Sequence, residues 1–339
     1  MEGAESVRSV STIELASWVP LAVNFVGPSP TVDWGDLGVR RFDQPFFDET
    51  VARWVAENPT ARVQRTGIDM LTTLDQAPSL EPSGFIFHSS RCGSTLLARM
   101  LRQNPGCVVV SEPSVINAVL SANASVIDED SKVRLLRLVI RALGRRRLGD
   151  ERHYVVKLSS WNICRRALFA RAFPNRPTVW LQRRPAEVLR SLAAMSPPWL
   201  SWRELPDVVG AIFGLSNEEI ASLDAEAFYA QALTAFLRAA YAAVDTMAVL
   251  DYSDLPDAAW NCVAPLFGIT VSAEDLARMR QEACYDAKEA APRIFKRSDA
   301  EVPKSIARLA EGELDELYAA LKHRRCARPT PPRSSAVRL

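Results

Sequence analysis

Residues 84–101 read GFIFHSSRCGSTLLARML, and the rest of the chain is best understood outward from them. Phe85-Ile86-Phe87 is a short apolar run, followed by the small and polar stretch Ser89-Ser90-Arg91-Cys92-Gly93-Ser94-Thr95. Leu96, Leu97, Met100 and Leu101 then recur on one face of a period of about 3.6 residues. The segment therefore reads as strand, loop and helix. Such a junction gathers backbone N–H groups, the positive helix end and small hydroxyls around one point, which attracts phosphate or sulfate. Asn104-Pro105-Gly106 ends the helix, because proline cannot continue it and glycine accepts the left-handed cap.

Further apolar runs at Val108–Val110, Tyr154–Val156, Thr178–Leu181 and Met247–Leu250 alternate with helical patterns. The helices are expected around Lys132 to Leu143, up to about Phe173, around Val188, Leu189 and Leu192, and through Leu233, Phe236, Leu237, Ala240, Tyr241 and Val244. This alternation predicts an α/β fold, a parallel sheet flanked by helices on both faces. Residues 1–82, rich in Trp, Pro, Gly and Asp with a short helix over Phe46 to Glu57, read as an N-terminal extension packed on the main domain. The main domain is placed at 83–326, ending in one helix through Ile306, Leu309, Leu317, Tyr318 and Leu321, and 327–339 as a disordered, proline-containing tail.

The chain has 339 residues, 48% hydrophobic and 24% charged, enough for a sizeable core. A net charge of +1 gives no global pull toward nucleic acid or an anionic membrane, and Arg145-Arg146-Arg147 reads as a solvated helix end. The six scattered cysteines form no metal-ligand pattern and are expected as reduced thiols. With no leader pattern and no apolar run of about 20 residues, a cytoplasmic protein is expected.

An ATP-type phosphate loop needs a glycine at its start and Gly-Lys-Ser/Thr at its end. Here His88 and Ser94 occupy the first-glycine and lysine positions, which disfavours a triphosphatase or a phosphotransferase. The pattern Phe-x-x-Ser-Arg-x-Gly-Ser-Thr-Leu-Leu instead resembles the 5′-phosphosulfate loop of sulfotransferases that use 3′-phosphoadenosine 5′-phosphosulfate (PAPS). It is closest to the branch that contains tyrosylprotein and many bacterial enzymes, and the resemblance runs from about Gly84 to Ser191. It implies a P-loop-type sheet, PAPS as donor, adenosine 3′,5′-bisphosphate as product and no metal. Ser90, Arg91, Cys92, Gly93, Ser94 and Thr95 would then bind the donor.

The same resemblance assigns a general base to Glu112, 21 positions after Arg91, and a sulfonate-stabilising role to Lys157 with Arg91. Charge ending an apolar strand, as in Tyr154-Val155-Val156-Lys157, also fits a residue facing a cleft. Arg183 and Ser191, eight residues apart, would take the 3′-phosphate. Two positions depart from relatives: Ser159, where cytosolic enzymes carry a histidine base, and Arg184, where many carry Asp or Asn. Tyr252-Ser253-Asp254-Leu255 resembles a structural segment, and His88 reads as a packed histidine. Trp199 and Trp202 are read either as lining an acceptor pocket or as packing. Lys288, Arg293, Lys296 and Arg297 are read as a solvated run or as a loop closing on the 3′-phosphate. The expected partner is a small-molecule or peptide acceptor carrying a hydroxyl, less often an amine. The alternative is a non-catalytic nucleotide-binding module of the same fold.

Overall fold

The computed structural model describes residues 18–27, 29–75, 77–195, 198–285, 294 and 301–324, the side chains of 198–200 excepted. Its first unit is an antiparallel sheet of β1 (Val19–Asn24), β2 (Thr31–Gly35) and β3 (Val63–Gly67), in the order β1-β2-β3. Helices α1 (Phe47–Glu57) and α2 (Asp69–Leu74) accompany it. Strand β2 alternates, burying Val32 and Trp34 while Asp33 faces its register partner Arg65, whose Nε donates to Asp33 Oδ1 at 2.6 Å. The sequence reading found α1 but none of these strands. In β3 the only apolar residue, Val63, is exposed, so no hydrophobic alternation marks it.

The arginine run at 145–147 corrects its sequence reading. Arg145 is buried against the Trp34 ring, and Arg147 stacks over Phe42 and donates to the Gly38 carbonyl at 2.9 Å. Burial lowers both guanidinium pKa values to about 10. Only Arg146 is exposed; Arg145 packs on β2 and Arg147 on the segment that follows it.

The main sheet is built from β4 (Gly84–His88), β5 (Cys107–Ser111), β6 (His153–Lys157), β7 (Thr178–Gln182) and β8 (Ala248–Asp251). Its order is β5-β6-β4-β7-β8 and every pairing is parallel. Alternate residues enter two separate apolar layers. Phe85, Phe87, Val110, Tyr154, Val156, Trp180 and Val249 enter one; Ile86, Val109, Val155, Val179, Leu181 and Leu250 enter the other. Each fully buried Val, Leu or Phe contributes about 1.5–3 kcal/mol, so both faces need helical cover.

The first layer is closed by α4 (Ser114–Ser121), α5 (Glu129–Leu143), α6 (Arg166–Ala172), α7 (Pro185–Ala194), α8 (Pro206–Phe213), α9 (Asn217–Ser222) and α10 (Ala225–Ala242). The second is closed by α3 (Ser94–Leu101), the π-helical turn Ala259–Val263 that leads into α11 (Ala264–Leu266), and α12 (Ala273–Glu282). Gly84 admits this packing: a Cβ there would lie 2.1 Å from Phe267 Cε1.

The expected single C-terminal helix is two, α13 (Lys304–Ala310) and α14 (Glu313–His323), separated by Gly312 at φ +79°. Apolar periodicity runs through the break because both helices pack on the first layer. No helix among the described residues is long and apolar enough to cross a membrane. The tail and the basic residues Lys288, Arg293, Lys296 and Arg297 lie outside the described residues.

From β4 the chain passes to one side of the sheet for β5 and β6, then to the other for β7 and β8. The crevice at the carboxyl end of such a reversal is where open α/β sheets place their ligands.

Candidate active site

The loop after β4 departs from ordinary backbone geometry. Ser90 (φ +67°), Arg91 (φ +49°) and Gly93 (φ +86°) are left-handed, and side-chain-bearing residues rarely adopt that region. His88 supports the turn from beneath: the Ser90 N–H donates to His88 Nδ1 at 3.0 Å, and Nε2 lies 2.9 Å from the Leu158 carbonyl. Burial opposes a charge on His88, whereas Cys92 and Glu112 favour it and together shift its pKa upward. The Ser90 N–H makes Nδ1 an acceptor and leaves Nε2 to carry the ring proton toward the Leu158 carbonyl. His88 is therefore a packed, hydrogen-bonded residue that positions the loop.

Gly93 is also the N-cap of α3, and no side chain caps that helix. A Cβ at Gly93 would lie 2.8 Å from Leu255 Cδ1 and 2.9 Å from Tyr252 Cδ2. Glycine is required there by both dihedral and space. The uncapped first turn of α3, with the buried hydroxyl residues Ser94 and Thr95, can hold an anion through N–H groups and the helix dipole. Cys92 turns into the core, its thiol 3.2 Å from the Leu181 carbonyl, so only its backbone belongs to the loop surface.

The ends of β5 and β6 bring together the second and third residues. Ser111 is in register with Lys157, and the Glu112 N–H donates to the Lys157 carbonyl at 2.7 Å, extending the ladder by one step. Glu112 then adopts φ +51°, which turns the chain away from the strand. Lys157 shares the parity of Val155 and so faces the α3 side. There its Nζ pairs with Glu112 Oε1 and lies 3.4 Å from Thr95 Oγ1 and 4.9 Å from the Phe46 ring centroid. Lys157 is fully buried, and His88 Nε2 lies 3.4 Å from the same Glu112 oxygen. Burial alone would raise the Glu112 pKa; Lys157 and His88 outweigh it and lower it to about 2.

Arg91, Arg183 and Ser191 form one connected group. Arg91 Nε donates to Ser191 Oγ at 2.8 Å, and Arg183 reaches the Arg91 carbonyl at 3.4 Å. Arg183 also donates to Glu187 Oε2 at 2.6 Å and stacks 4.5 Å from the Tyr252 ring centroid. Arg91 thus links Arg183 to Ser191, the two residues expected to converge on one phosphate. Arg184 is exposed.

Ser159 caps the turn Ser160–Arg165 with Asn162 and accepts from Asn117 Nδ2 at 3.0 Å. Trp202 packs edge-on to buried Trp161 at 5.0 Å, while the Trp199 side chain lies outside the described residues. Two residues of the site escaped the sequence reading. Tyr252 was placed in a structural segment but touches both Gly93 and Arg183; Phe46, from the N-terminal extension, faces Lys157. An aromatic residue just after a strand end was the available signal for Tyr252. Phe46 had none. Among the described residues no group of three His, Cys, Asp or Glu is placed to hold a metal ion.

No family model and no curated protein matches the sequence. Among solved structures, the chain is similar to a sulfotransferase from Alicyclobacillus acidocaldarius (16% identity, 72% of this chain and 95% of that one, TM-score 0.40). It is also similar to the sulfotransferase domain from the curacin biosynthetic pathway (14% identity, 69% and 97%, TM-score 0.38) and to a sulfotransferase from Mycobacterium avium (13% identity, 78% and 81%, TM-score 0.40). At such identities and TM-scores the chemistry has to be argued from the site itself.

Proposed function

We propose that this chain is a sulfotransferase that moves the sulfonate of PAPS to a hydroxyl of a small-molecule or peptide acceptor. One observation carries the reading: a buried lysine and a carboxylate are paired beside a phosphate-type loop that lacks the lysine of ATP-binding loops. Cations for a transferring anion and a base for its acceptor are what a loose in-line displacement needs from a protein.

The residues fit the donor. The loop from Ser90 to Thr95, with the α3 N-terminus, suits the 5′ anion, and Arg183 with Ser191 supplies donors for the 3′-phosphate, the two linked through Arg91. Arg183 is preset for that contact by Tyr252 and Glu187. When bound, the donor supplies the sulfonate, and adenosine 3′,5′-bisphosphate is left as product.

Without donor, Lys157 neutralises Glu112 and leaves the carboxylate a weak base, at about 2. An anion held by the loop competes for the Lys157 ammonium. Glu112 loses its counter-ion, its basicity rises, and it takes the acceptor hydroxyl proton as the new oxygen–sulfur bond forms. Lys157 and Arg91 meanwhile balance charge on the sulfonate and the leaving phosphate. The base is thus restrained until the donor arrives.

The direct test is donor turnover with and without Glu112. Glu112→Ala should bind adenosine 3′,5′-bisphosphate at least as tightly as the parent does and lose transfer by about 10²-fold or more. Full transfer in that variant would remove Glu112 from the mechanism.

A further inference from the structure

The ring of Phe46 packs against a fully buried ammonium. Its centroid is 4.9 Å from Lys157 Nζ, Lys157 has no exposed surface, and Phe46 itself is half-buried. That ammonium also pairs with Glu112 Oε1 and lies near Thr95 Oγ1. The ring is therefore an apolar wall of the Lys157 pocket, contributed by the N-terminal extension.

The wall is held from both sides. Phe47 is buried and packs against Phe42 at 5.4 Å. Arg102, which follows α3, donates to the Asp43 carbonyl at 2.9 Å and the Gln44 carbonyl at 2.8 Å. On the other flank Ser114, the first residue of α4, donates to Asp48 Oδ1 at 2.8 Å. Residues 43–48 are thus tied to the two helices that follow the anion loop and Glu112.

We propose that Phe46 is a positioning residue that keeps water from the Lys157 ammonium and from the group that Lys157 holds. The inference rests on the sulfotransferase reading. Water competing with the acceptor would attack sulfur, form the new sulfur–oxygen bond, break the bond to the 5′-phosphate and lose its proton to Glu112 or solvent. The products would be sulfate and adenosine 3′,5′-bisphosphate. A wet Lys157 pocket would favour that loss.

Two measurements on Phe46→Ala, Phe46→Leu and Phe46→Trp separate the inference from the reading it rests on. Acetic anhydride labelling of Lys157, read by peptide mass spectrometry without any donor, should rise about tenfold in Phe46→Ala and stay within about threefold in Phe46→Trp. Unchanged labelling in both Phe46→Ala and Phe46→Leu would overturn the shield. Incubation with PAPS alone should release sulfate about tenfold faster from Phe46→Ala than from the parent, with adenosine 3′,5′-bisphosphate affinity changed less than about threefold. Parent-like sulfate release from a variant that binds the bisphosphate normally would overturn the water-excluding role. Failure of the parent to bind the bisphosphate would instead overturn the sulfotransferase reading and Phe46's transfer role with it, while the labelling result still judges the shield. Phe46→Leu serves where Phe46→Ala fails to fold.

Discussion

Glu112, one step beyond the end of β5, pairs with Lys157, the last residue of the adjacent parallel strand β6, and the lysine of the pair has no exposed surface. Removing one partner strands the other. Glu112→Gln should lower stability by about 1–3 kcal/mol, less than for a fully buried pair because 24% of the Glu112 side chain is exposed. Denaturant unfolding at neutral pH checks this.

The same pair sets an acid dependence. The Glu112 carboxyl falls from an ordinary 4.5 to about 2 in the folded protein. A depressed carboxylate stabilises the fold above its unfolded pKa, and that contribution disappears as pH falls through the folded value. The stability difference between the parent and Glu112→Gln should therefore shrink as pH falls from about 5 to about 2. A constant difference over that range would show that the pair is not ionised.

Arg183 carries the proposed preference for a 3′-phosphate. Arg183→Ala should weaken adenosine 3′,5′-bisphosphate binding by about 10- to 100-fold and change AMP binding by less than about threefold, as titration calorimetry would show. Arg183→Lys should not recover the loss, because a lysine cannot reproduce the planar stack on Tyr252 together with the Glu187 contact.

Gly93 tests the loop. Gly93→Ala meets both a left-handed φ of +86° and side-chain atoms at 2.8–2.9 Å. It should cost about 1–3 kcal/mol and remove stabilisation by the bisphosphate. Thermal melts with and without ligand measure both effects.

The strand, loop and helix at 84–101 were legible because a buried central strand leaves an uninterrupted apolar run and the loop's small residues follow at once. Lys157 was legible for a similar reason: a charge ending such a run must face something. The partnership of Arg91 with Ser191 was not, since 100 residues separate them and only the folded β4–β7 pairing brings them together. Phe46 was hidden in the same way, and β3 by its polar composition. The arginines at 145 and 147 misled because a charge run looks the same whether water or Trp34 and Phe42 receive it. Local pattern thus located the loop that follows β4, while the contacts around it come from distant segments.

The central claim is that the site holds a nucleotide carrying a 3′-phosphate. Thermal unfolding with adenosine 3′,5′-bisphosphate, AMP and ATP in turn tests it most directly. At about a hundredfold excess over Kd, a ligand specific for the native state adds about 2.7 kcal/mol. The bisphosphate is predicted to raise Tm clearly above the shift from AMP or ATP at equal concentration, and equal shifts from all three would contradict the assignment.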